Sequence, residues 1–196
     1  GQASALVGDP DLAALFDGVN DYVEVGKVSM GGQKLTLAAW VYIPSDSVRN
    51  RTTIIAKSSN ADIDDVAWGL GTVRSSGQQR LAFQLSTQSG QTELIASNAD
   101  TGLADGWHFV AAVYTGWRME LYIDGEQVAW RSASGNVSND GKDRVWIGAM
   151  YDDSGEYAFK GSIDEVVVFK DALSAEQIVK LYELRYPSMD VVFWND

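Results

Sequence analysis

No cysteine occurs among the 196 residues, and there are only three prolines and one histidine. Without cysteine the fold rests on no disulfide, and cysteine usage leaves the compartment open. Scarce proline, set against 19 glycines, points to many tight turns built on glycine. Positive charge is scarce too: 15 Lys and Arg face 27 Asp and Glu, a formal net charge of −12. Nucleic acid and anionic membranes, both polyanions, repel such a chain. No apolar run approaches the ~20 residues that a membrane-spanning helix needs, so no membrane insertion is expected. Catalytic signatures are missing as well. There is no Gly-x-Ser-x-Gly elbow, no cysteine nucleophile and no His-Glu-x-x-His zinc motif. The lone His108 opens an apolar run beside Trp107, the setting of a packed strand residue rather than of a base. The leading GQASALVGDPD reads as a processed or engineered start, and no signal peptide is visible.

What is present is strand signal. The chain is 45% apolar and 11% aromatic, enough for a substantial core, and its length suits one domain over 1–196. LTLAAWVY, Leu35–Tyr42, is a nearly continuous apolar run. Shorter runs at 53–57, 68–73, 80–87 and 91–96 are bounded by Gly, Ser, Asn and Asp. HFVAAVY, residues 108–114, reads as a buried strand, and 145–149 and 162–169 complete the set. Asp124-Gly125 separates Arg118–Ile123 from residues 126–130. This pair is a strong hairpin signal, because a type I′ turn needs positive φ at both central residues. Ser174 and Gln177 fit a capping box, and Ile178, Leu181 and Tyr182 form one apolar stripe behind it. Pro187 follows as a helix stop. The tail 190–196, DVVFWND, reads as one further edge strand. About a dozen strands and one short helix predict an all-β chain with two packed antiparallel sheets.

The order of local motifs carries a resemblance. FDGVNDYV at 16–23 opens the pattern and LTLAAWVY follows. GWHFVAAVY and LYIDGEQV supply the centre. WIGA at 146–149, FKGSIDEVVVF at 159–169 and DALSAEQIVKLYEL at 171–184 close it. Over about 14–184 the chain resembles the LamG-like jelly roll of the concanavalin A-like lectin/glucanase superfamily. The resemblance implies a β-sandwich with a concave face and rim loops. It implies binding more than catalysis. Glycosidases of that superfamily set carboxylates on alternate residues of one strand, and this chain has no such array. Asp164 and Glu165 are adjacent, so on a strand they face opposite ways.

Three sets of residues are candidates for function. The resemblance implies a structural Ca2+ bridging the first and last strands, with Asp17, Asn20, Asp21 and Asp164 as ligands, since Ca2+ takes carboxylates and turn carbonyls. Asp62, Asp64 and Asp65, or Asp152 and Asp153, offer a second acidic cluster. For sugar binding, seven tryptophans are many. Trp40, Trp107 and Trp146 sit in apolar runs and read as core. Trp68, Trp117, Trp130 and Tyr151 lie near Gly- or Asp-rich loops and read as exposed platforms for pyranose faces. Arg74, Asn139 and Asp153 would add hydrogen bonds. The expected function is a non-catalytic glycan-binding module, calcium-stabilised, of a larger secreted or cell-surface protein. Its expected partners are a polysaccharide and the other domains of that protein. The rivals are a structural or protein-adhesion module, as in an adhesin or on a virion, and a polysaccharide-acting enzyme.

Overall fold

The computed structural model describes residues 2–3, 5, 12–29, 32–59, 66–96, 102–138, 144–150 and 157–184. Thirteen strands and one helix follow in order: β1 (Gln2–Ala3), β2 (Leu12–Asp17), β3 (Val23–Gly26), β4 (Leu35–Tyr42), β5 (Arg51–Ser58), β6 (Val66–Ser75), β7 (Gln78–Thr87), β8 (Gly90–Ile95), β9 (Trp107–Tyr114), β10 (Arg118–Ile123), β11 (Glu126–Ser132), β12 (Arg144–Ile147), β13 (Lys160–Phe169) and α1 (Ala175–Glu183). They build a seven-stranded sheet, β1-β2-β13-β4-β9-β10-β11, and a six-stranded sheet, β3-β12-β5-β6-β7-β8. All the paired strands run antiparallel. The expected tail strand at 190–196 lies outside the described residues.

Alternation within each strand decides what faces the space between the sheets. From the seven-stranded sheet come Leu37, Ala39 and Val41 of β4, Val110 and Ala112 of β9, and Met119 and Leu121 of β10. From the six-stranded sheet come Trp68 and Leu70 of β6 with Leu81, Phe83 and Leu85 of β7. Nearly all are fully buried, and each large side chain so placed contributes about 1.5–3 kcal/mol. Asp124 and Gly125 both adopt positive φ, 51° and 84°, as the hairpin between β10 and β11 requires.

The outer face of the seven-stranded sheet is also apolar in part. Ala38 and Trp40 of β4, Phe109, Ala111 and Val113 of β9, and Tyr122 of β10 form a second buried cluster with Ile178 of α1. Tyr182 stacks on Trp40, with ring centroids 5.7 Å apart. The helix is held to its start. The Gln177 N–H donates to Ser174 Oγ, and the Ser174 N–H donates to Gln177 Oε1. Thr36 of β4 donates to the Asp171 carbonyl and accepts from the Leu173 N–H, which ties the incoming loop to the sheet it covers.

Candidate binding face

The six-stranded sheet presents a different outer face. Successive register partners Trp146, Ala56, Gly69, Gln84 and Glu93 form one rung across β12, β5, β6, β7 and β8. The next rung carries Thr53, Gly71 and Ala82, and the one after it Arg51, Val73 and Arg80. In β6 the large residues Trp68 and Leu70 point inward, so Gly69 and Gly71 point outward. The middle of this face therefore has a floor of Ala56, Gly69, Gly71 and Ala82. Over it lies a shallow pit or groove walled by Arg51, Thr53, Gln84, Glu93 and Met150, with free space of about 20 Å3, room for one water; the floor itself is buried, Ala56 at 0% and Ala82 at 4%. Gly71 is required by close approach. A Cβ there would stand 2.1 Å from the Thr52 carbonyl oxygen, where β5 bulges between Thr53 and Ile55. A Cβ at Gly69 would find nothing nearer than 3.4 Å.

Arg51 and Glu93 stand on strands three spacings apart, about 14 Å, yet their side chains meet. Arg51 Nη1 lies 2.5 Å from Glu93 Oε1, and Nη2 lies 3.2 Å from Oε2. The two side chains cross β6 and β7, where the second rung leaves room. Paired fork to fork, they are 25% and 28% exposed. Arg131 of β11 reaches round the sandwich edge and donates to the Glu93 carbonyl at 2.6 Å. The result is a half-buried array of N–H donors and carboxylate acceptors lying over the second rung. Such an array matches the vicinal hydroxyls of a sugar, each of which donates and accepts. Glu93 is the one carboxylate lining the groove among the described residues.

The expected platforms separate. Trp68 is fully buried, at 0% exposure. It stands in register between Lys57 and Leu85 on the core side of β6, so it offers no ring to a ligand. Arg74 is one alternation step off the groove face. Its Nη1 donates to the Ser47 carbonyl at 2.9 Å, and its N–H to the Asn50 carbonyl, which pins the 47–50 loop. Trp117 is exposed, at 63%, but it precedes β10 in the other sheet. Tyr151, Asp153 and Asn139 lie outside the described residues, as do Asp62, Asp64, Asp65 and Asp152. Trp40 is buried as expected, though under α1 rather than between the sheets. His108 pairs through Nδ1 with Asp124 Oδ2 at 2.8 Å, beside the hairpin turn.

The implied calcium ligands do not assemble. Asp17 pairs in register with Lys160. Asp164 stands four residues further along β13, about 13 Å away. Its two oxygens accept the Ala5 and Glu165 N–H groups. Asp17 Oδ1 accepts the Val19 N–H, and Asp21 Oδ2 accepts the Asp17 N–H, so both carboxylates shape the turn that holds the exposed Asn20. The Gly18 carbonyl accepts from the Arg49 guanidinium, so this turn carbonyl is already engaged. The set Asp17, Asn20, Asp21 and Asp164 therefore does not fit a single Ca2+.

Arg51, Gln84 and Glu93 escaped the sequence reading. The signal for them was present in Trp68-Gly69-Leu70-Gly71, whose alternation marks an inward face of large residues and an outward face of none.

A family model described as the concanavalin A-like lectin/glucanases superfamily, Laminin_G_3, matches residues 17–179. No curated protein sequence matches the chain. Among solved structures it is similar to a heptameric SAP-like pentraxin from Limulus polyphemus. The TM-score is 0.67 at 19% identity, over 88% of this chain and 83% of that one. It is also similar to domain 4 of an extracellular arabinanase from Geobacillus stearothermophilus, solved with arabinotriose. There the TM-score is 0.64 at 18% identity, over 89% and 78%. The CBM40 of the Ruminococcus gnavus IT-sialidase, bound to α2,3-sialyllactose, gives 0.60 at 17%, over 85% and 99%. At these identities the likeness is one of fold.

Proposed function

The chain belongs to the Laminin_G_3 family, and from that premise we propose that it is a non-catalytic, lectin-like glycan-binding module. In this reading one domain, 1–196, serves a larger secreted or surface protein and holds it to polysaccharide. The observation that carries the reading is the shallow pit on the six-stranded sheet, bordered by the half-buried Arg51–Glu93 array. Glu93 already neutralises Arg51, and the chain carries a net charge of −12, so the ligand is a neutral glycan. Two of the similar structures hold an oligosaccharide, and both are parts of larger glycan-acting proteins, which supports the class and the setting. No helix among the described residues is long and apolar enough to cross a membrane.

Affinity electrophoresis against neutral and acidic polysaccharides tests this. Wild type is retarded by a neutral glycan, and Arg51→Ala or Glu93→Ala weakens that retardation about tenfold, the loss of one charge-assisted hydrogen-bonded pair. Retardation unchanged in both variants removes the groove from the reading. Calcium enters this reading through the resemblance alone. Melts with Ca2+ and with EDTA decide it, and identical midpoints discard it. A second reading, protein adhesion, draws on the exposed apolar side chains Leu12, Leu15, Val19 and Tyr22. It moves ahead when no glycan binds with Ca2+ present.

A further inference from the structure

The outer face of the β10–β11 hairpin carries a cluster that the groove does not use. Trp130 of β11 stands in register with Glu120 on the outer face of the seven-stranded sheet. It is 57% exposed, and β11 is the last strand of that sheet. The Arg118 guanidinium lies 4.4 Å from the Trp130 ring centroid, so one face of the indole is backed by a cation. The guanidinium is itself fixed. Its Nε lies 3.0 Å from Glu120 Oε1, and its Nη2 donates to Gln127 Oε1 at 3.1 Å. The Tyr122 hydroxyl donates to Glu120 Oε2 at 2.6 Å and accepts from Gln127 Nε2. Burial, and then the Glu120 carboxylate beside it, pushes the Tyr122 hydroxyl pKa up, so the phenol keeps its proton and the network stays closed. A network of polar groups thus holds the Arg118 guanidinium against one exposed indole at a sheet edge.

A flat aromatic face beside satisfied carboxylate and amide groups suits the C–H face of a pyranose, whose hydroxyls then meet the polar rim. We propose that Trp130, positioned by Arg118, Glu120 and Gln127, is a second binding site for a neutral glycan, on the face opposite the groove. The proposal rests on the glycan-binding reading above and extends it to a two-sided module. The sheets are about 10 Å apart, so the two sites lie about 20 Å apart across the sandwich. A short oligosaccharide fills one of them. A long polysaccharide engages both and gains by effective concentration.

The test uses the whole chain and a panel of neutral plant and bacterial polysaccharides, each with its short oligosaccharides. The proteins are wild type, Trp130→Ala, Trp130→Phe, the groove variant Glu93→Ala, and Glu93→Ala with Trp130→Ala. Trp130→Ala lowers polysaccharide affinity about five- to tenfold, a loss on the scale of one stacking contact. Trp130→Phe restores part of it, and the double variant loses more than either single one. Thermal melts of every variant confirm that the fold persists. If Glu93→Ala alone abolishes binding and Trp130→Ala matches wild type, the groove reading stands and the second site is refuted. If Trp130→Ala weakens binding and Glu93→Ala does not, the second site stands and the groove reading falls. If wild type retains no neutral polysaccharide, both are overturned.

Discussion

The two outer faces of the sandwich are built from strands of the same alternation, yet one is covered by a helix and the other by the paired side chains of Arg51 and Glu93. On the seven-stranded sheet the outward positions hold Trp40, Phe109, Val113 and Tyr122, and α1 buries them through Ile178, Leu181 and Tyr182. On the six-stranded sheet the corresponding positions hold Ala56, Gly69, Gly71 and Ala82. Large outward side chains need a cover, since leaving them in water forfeits about 1.5–3 kcal/mol each. Small ones leave room for Arg51 and Glu93 to pair across them. Side-chain size at alternate positions, rather than strand order, decides which face takes a helix and which takes a layer of paired polar side chains.

The comparison breaks most visibly on the helix-covered side. Ile178→Ala removes the fully buried side chain that joins helix to sheet. A loss of about 3 kcal/mol is expected in urea denaturation, while the groove keeps its glycan. On the other side, Gly71→Ala forces a methyl against the Thr52 carbonyl and costs about 2 kcal/mol. Gly69→Ala, two residues away, changes stability by less than about 1 kcal/mol and weakens binding by filling the floor. Equal stability losses in these two variants would refute the groove floor as drawn. Ser174→Ala removes the helix cap and costs about 1 kcal/mol, again without touching the groove.

The smallest effect is one of pH. Hydrogen bonding from Lys34, then from the Ala172 N–H, lowers the Asp171 pKa below the usual carboxylate value. The depressed value means that its contribution is present above the ordinary aspartate pKa and is lost as pH falls through the lower folded one. Asp171 is 70% exposed, so screening keeps that contribution small. Acid melts of Asp171→Asn should therefore run closer to flat than wild type across that window, with neutral-pH stability nearly unchanged.

Much of this architecture was legible in the residues. Leu35–Tyr42 and Arg118–Ile123 are strands as read, and the Asp124-Gly125 turn and the Ser174–Gln177 cap form where local chemistry demands them. These are short-range effects, carried by φ preference and by side chains a few residues apart. The site was harder. Proximity to a polar loop suggested that Trp68 was exposed, but the alternation of β6 turns it inward. The Arg51–Glu93 pair spans 42 residues and four strands, and no local pattern announces a partner that only sheet order supplies. Asp17 and Asp164 do fall on neighbouring strands, as the resemblance implied, but the register of β2 on β13 holds them apart.

The groove floor has one further consequence. Glycine and alanine possess no rotamers, so the floor beneath the Arg51–Glu93 pair has no side-chain freedom to surrender. Ordering costs on association, about 0.5–1.5 kcal/mol for each long side chain immobilised, are confined to the walls. Arg51 and Glu93 already restrain one another there. The protein's share of the entropic penalty is therefore small, and what remains falls mainly on the ligand. Affinity at this face should accordingly rise with the stiffness of the glycan offered, and calorimetry of a rigid against a flexible oligosaccharide of equal length should place the difference in −TΔS.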